Sequence, residues 1–128
     1  MAKIDEYMRG FSQELGLQTP LKSDFPGVYT FSIDDALVSV SDKNGDITLH
    51  GTFGPIPEKK EGFYTDMLTA DLFYQGTEGA VVGLNLKDNK IIVKKMIDRD
   101  VNDKEFIDAM EDFLNTIENI KERAAEFR

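Results

Sequence analysis

The sequence predicts an α+β domain, an antiparallel sheet covered by helices in the order α-β-β-β-α-β-β-α. Two patterns and one punctuation mark carry that reading. Apolar residues recur at spacings of three and four near both ends of the chain and once in the middle. Between these stretches, short runs alternate apolar with polar residues. Asn44-Gly45 then separates two of the runs with the strongest short hairpin signal, because both residues tolerate positive φ. The chain has 128 residues, 41% of them hydrophobic, with nine Phe and four Tyr. That suffices for one packed core, and no repeat, linker or low-complexity tract divides residues 1–128.

Ile4, Tyr7, Met8, Phe11 and Leu15 define one face of a first helix, which Gly16 is placed to end. Gln18 to Gly27 holds two Pro and a Gly and reads as loop. A meander of three strands follows. Tyr29, Phe31 and Ile33 alternate with polar residues, Asp34-Asp35 turns the chain, and Val38 and Val40 alternate with serines. After Asn44-Gly45, Ile47, Leu49 and Phe53 face one way and Thr48, His50 and Thr52 the other. Gly54-Pro55-Ile56-Pro57 blocks further pairing.

Phe63 to Gly79, read as a helix, carries two neighbouring apolar stripes. One runs through Phe63, Met67, Ala70 and Tyr74, the other through Tyr64, Leu68 and Leu72. A surface helix normally buries a single stripe of about 100°. The excess predicts a second protein surface, most simply another copy of the chain, with burial inside one chain as the alternative. Strands over 80–86 and 90–97 are joined by a tight Asp88-Asn89 turn. Asn102 and Glu105 form a capping-box pattern ahead of a seam through Phe106, Met110, Phe113, Ile117, Ile120, Ala124 and Phe127. That seam predicts a closing helix of about 24 residues, roughly 36 Å long, mostly buried against the core.

Composition excludes several function classes. The formal net charge of −9 opposes nucleic acid and anionic membrane, both of which draw affinity from Lys and Arg. Without Cys there is no thiolate chemistry and no disulfide framework. The N-terminus has no uninterrupted apolar run, so neither a signal peptide nor a membrane span is expected. His50 is the single His and sits on the polar face of a strand, which fits a structural role better than a catalytic one. Asp42, Asn44 and Asp46 lack the Gly and Glu positions of a calcium loop and are better read as a hairpin turn. Gly76 and Gly79 follow a helix and precede a strand, which presents the wrong dipole end to a phosphate, so they read as a helix cap. No catalytic constellation, metal site or cofactor motif emerges. The expectation is a binding protein rather than an enzyme, with no cofactor.

The run from Met67 to Ala80, MLTADLFYQGTEGA, is similar to the "LLxANLF…G…GG" run of the CesT/Tir-chaperone family, the class I chaperones of bacterial type III secretion. Gly83-Leu84 follows like the family's strand, Asp103 to Phe113 like its closing helix, and the Pro-containing loop at 54–57 also fits. Asp71 stands where Asn is usual in the family. The resemblance spans nearly the whole chain in element order. It implies a small acidic homodimer of the bacterial cytoplasm, without enzymatic activity, that binds the N-terminal region of one or more secreted effectors as an extended segment. A contact with the secretion-apparatus ATPase is left open.

Within that reading, effector grooves are expected from Ile4, Met8, Phe11 and Leu15 of the first helix, with Tyr29, Phe31 and Leu49 of the strands, unless that face is ordinary core. The dimer seam is expected from Phe63, Met67, Leu68 and Leu72, with Val81 from the next strand. The alternatives are a regulatory adaptor of the same architecture that binds a folded partner, and, with less support, a small enzyme using acidic groups around the sheet. The ligand separates them, since an isolated N-terminal peptide suffices for a chaperone alone.

Overall fold

Helix α1 (Lys3–Glu14) forms where the three-four spacing begins and stops where Gly16 takes φ of 74°. The Gly16 N–H donates to the Gln13 carbonyl at 2.9 Å, which closes the last turn. A computed structural model describes residues 3–16, 23–25, 27–33, 35–43, 46–72, 80–98 and 100–128. The expected turns at Asp34 and Asn44-Gly45 and the cap at Gly76 and Gly79 lie outside these residues, as does the helix after Leu72.

Strand β1 (Ser23–Phe25) occupies part of the stretch expected to be loop. Its three residues are too few for an alternation to show, and its pairing with the next strand is irregular, Ser23 opposite Tyr29 and Phe25 opposite Val28. Gly27, at φ 78°, makes the tight reversal between them. Strands β2 (Val28–Ile33), β3 (Ala36–Lys43) and β4 (Asp46–Phe53) form the expected meander. Helix α2 (Lys60–Leu72) carries the chain across to β5 (Val81–Asn85), β6 (Lys90–Ile97) and α3 (Asp103–Ala125). The sheet has six strands in the order β1-β2-β3-β4-β6-β5, every neighbouring pair antiparallel. Because β6 slots beside β4, β5 is left at an edge.

The strand alternation sends one residue set inward and leaves the other outside. Ile47, Leu49, Gly51 and Phe53 of β4 are buried, while Asp46, Thr48, His50 and Thr52 are exposed or half-buried. The inward set meets Phe106, Met110, Phe113, Ile117 and Ile120 of α3, all buried. Gly51 is the position that permits this approach, since a Cβ there would lie 2.7 Å from Cδ1 of Ile117 and 3.5 Å from the Phe113 ring. α1 packs on α3, with Tyr7 stacked on Phe106 at a centroid distance of 4.7 Å. Its far end meets the sheet, where Phe11 and Phe31 rings lie 5.9 Å apart.

Asn102 starts α3 with both halves of the capping box formed. Its side chain accepts from the Glu105 N–H at 2.8 Å, and the Glu105 carboxylate accepts from the Asn102 N–H at 3.0 Å. Two otherwise unpaired backbone donors are satisfied in this way. Asn102→Ala is expected to lower unfolding free energy by about 1 kcal/mol, read from the urea midpoint.

Candidate interaction surfaces

Burial decides which apolar residues remain available to a partner. α1 is committed to its own chain: Ile4, Met8 and Phe11 are no more than 1% exposed. The Tyr7 hydroxyl donates to the Val101 carbonyl, and the Tyr29 hydroxyl donates to Oδ1 of Asp5 at 2.5 Å. Burial, and then the bond to the Asp5 carboxylate, pushes the Tyr29 phenol up to about 12, so it remains a donor throughout the physiological range. Tyr29 and Leu49 are also buried and Phe31 is half-buried. Of the residues expected to line an effector groove, Leu15 alone stands well exposed, at the C-terminal end of the α1 face. The periodicity marks an apolar face correctly but carries nothing that distinguishes the chain's own sheet from a guest polypeptide.

The expected dimer seam divides in the same way. Phe63 and Met67 are buried inside the single chain, Phe63 with its ring 6.0 Å from that of Phe127. A Cβ on Gly62 would lie 3.1 Å from the same ring, and the Lys59 N–H donates to the Phe127 carbonyl at 2.8 Å. Arg123 of α3 reaches Asp66 of α2 at 2.9 Å. The end of α3 therefore clasps the start of α2, and the stripe through Phe63 and Met67 is the one turned inward. The Leu68 and Leu72 side chains lie outside the description. Val81 is two-thirds exposed on edge strand β5.

What stands exposed on this side, among the described residues, is Tyr64 of the second stripe and the edge next to it. Tyr64 is exposed on α2 and Leu86 just beyond β5, and with half-buried Leu84 and the side chains of Lys60 and Glu61 they line an open groove of about 340 Å³. Among the described residues β5 has one side unpaired within the sheet, and that edge carries main-chain donors and acceptors for an added strand. Tyr64 was legible as part of the second stripe. Leu84 and Leu86 were not, because their exposure follows from β5 lying at the edge, and strand order is not written in alternation.

Among the described residues, no group of three or more His, Cys, Asp or Glu side chains could hold a metal ion. No helix among them is long and apolar enough to cross a membrane. His50 is half-buried on β4 opposite Ser39 and Lys94. Burial, and then the Lys94 charge, lowers its pKa below the ordinary imidazole value, so it is neutral at pH 7.

Comparison with known proteins fits this picture of a sheet with helices and open apolar edges. The model of the Tir chaperone protein (CesT) family matches residues 6–121. A protein of Chlamydia pneumoniae is 24% identical over 116 residues, covering 88% of each chain. Among solved structures, the chain is similar to one in the HopA1–SchA chaperone–effector complex, with a TM-score of 0.70, 18% identity, and coverage of 96% of this chain and 94% of that one. It is also similar to a chain of the heterodimeric ExoU–SpcU complex from the type III secretion system of Pseudomonas aeruginosa (TM-score 0.66, 13% identity, 98% of each chain). A chain in the complex of the Yersinia pestis type III secretion chaperone SycH with a fragment of YscM2 gives 0.63 at 16% identity, covering 96% of this chain and 98% of that one.

Proposed function

The chain belongs to the Tir chaperone protein (CesT) family, and from that premise we propose that it is a type III secretion chaperone that binds the N-terminal region of one or more effectors as an extended segment. The observation that carries this reading is the family match over residues 6–121, joined to a fold shared along almost the whole chain with proteins solved in chaperone–effector complexes. The physical surface suits the task. An extended client loses entropy on ordering, about 2–5 kcal/mol in coupled folding and binding, and needs a long contact to offset it. The uncovered edge of β5, the apolar groove beside Tyr64 and the exposed end of α1 at Leu15 supply separated contacts of that kind.

The working unit in this reading is a homodimer. Tyr64 and Leu86 leave apolar area beside β5 that a second copy would cover, with Val81 exposed on the other face of the same edge strand, and paired sites raise avidity for one client through effective concentration. The charge of −9 then keeps the free protein from associating further. The reading has no enzymatic step. It places the chain in the bacterial cytoplasm, where a client is held until the secretion apparatus, with its ATPase, receives it.

Affinity capture from the native bacterium, with mass spectrometry of what is retained, tests the reading. One dominant secreted protein is expected, and deleting its N-terminal region should abolish capture. Retention of a folded partner that is indifferent to such a deletion would favour an adaptor instead.

A further inference from the structure

Among the described residues, no helix packs on the face of the sheet turned away from α1, α2 and α3. Every sheet residue in the hydrophobic core belongs to the inward set, and α3, α1 and α2 all pack on that side. Pairing registers fix what the outer face presents. Its central row runs Thr30, Ser39, His50, Lys94 and Val81 across β2, β3, β4, β6 and β5. The next row holds Leu37, Thr52 and Ile92, and the row on the other side Ser41, Thr48 and Met96. Leu37 and Met96 are more than half exposed.

None of these residues is a carboxylate, although the chain has 24 Asp and Glu against 15 Lys and Arg. The Asp at the far end of the face, Asp46, is paired in register with Lys43, and at the opposite end Lys90 is exposed beside Asn85. Lys94 is exposed and makes no ion pair among the described residues. The three central rows therefore carry one positive charge and no negative one, against the sign of the molecule as a whole. The face sets a cation and a polarisable imidazole among hydroxyl donors, with apolar side chains on either flank.

We propose that this outer face is a second docking surface, for a polypeptide segment whose carboxylates meet Lys94 and His50 and whose apolar residues rest on Leu37, Ile92 and Met96. Layer packing favours a protein occupant, because a half-apolar sheet face gains from being covered. Nucleic acid is disfavoured, since it needs many phosphate contacts and the central rows offer a single Lys. The surface adjoins the α2–β5 side at Val81 and does not depend on the client reading.

His50 is the only histidine in the chain, so its imidazole NMR signals report occupancy of this face directly. The probes are a synthetic peptide alternating Glu and Val, its counterpart alternating Lys and Val, and a short oligonucleotide. The acidic peptide is expected to move the His50 signals and raise their titration midpoint, and Lys94→Glu to weaken its binding about tenfold. Lys104→Glu, on the exposed start of α3, should leave that binding unchanged. The proposal is overturned if the acidic peptide leaves His50 unmoved, if the basic peptide or the oligonucleotide acts equally well, or if Lys94→Glu binds as the parent does. Signals that move with protein concentration alone would assign the face to another copy of the chain and overturn it too.

Discussion

Tyr64→Asp combined with Val81→Asp is expected to leave the protein folded and reduce its mass in light scattering from that of the proposed homodimer to the single 14.5 kDa chain. Tyr64 is 42% and Val81 67% exposed in the isolated chain, and neither belongs to its buried core, so neither carboxylate is forced into it. In a dimer of ordinary size, burying about 1,200–2,000 Å², each would sit in desolvated apolar contact. Buried contacts of that kind cost roughly 2 kcal/mol or more apiece when broken, which together weaken association by about a thousandfold. Met67→Asp should behave differently. Its side chain is 1% exposed, so the charge enters the chain's own core and unfolding precedes any clean monomer. A double variant that keeps the dimer mass would move the seam away from the α2–β5 side.

Phe113→Ala is expected to cost about 3–5 kcal/mol of unfolding free energy, measured by urea denaturation. The ring is fully buried where α3 crosses β4 at Gly51. For a domain whose total stability is of the order of 5–15 kcal/mol, that loss removes a large share of the margin. The same contact predicts coupling. Gly51→Ala alone drives a Cβ to within 2.7 Å of Ile117, a clash the flexible end of that side chain must absorb. In the Phe113→Ala background Ile117 has vacated ring space to move into, so Gly51→Ala should cost less there than alone. Equal costs in the two backgrounds would mean that the crossing is not packed as described.

How much of this was legible in the sequence depends on how local the governing physics is. Capping at Asn102 and Glu105, the end of α1 at Gly16 and the inward set of β4 are each decided within a few residues, and the structure has them where the sequence places them. Strand β1 escaped because three residues between prolines carry no period. Which apolar residues stand exposed escaped for a different reason. Whether an apolar stripe is core or contact depends on what lies opposite it, and Ile4, Met8, Phe11, Phe63 and Met67 all find partners inside the chain. The exposed Tyr64 beside the β5 edge emerges only once β6 is known to slot between β4 and β5.

The central claim is that the protein holds a client without folding it into a globule of its own. Amide hydrogen exchange on an effector's isolated N-terminal segment, bound to the full chain, tests this most directly. Protection is expected in separated short stretches, matching contact at the β5 edge and the apolar grooves, with fast exchange between them and no cooperative unfolding unit within the segment. A segment that exchanges as one cooperative block, and retains that pattern when released from the chain, would contradict the account.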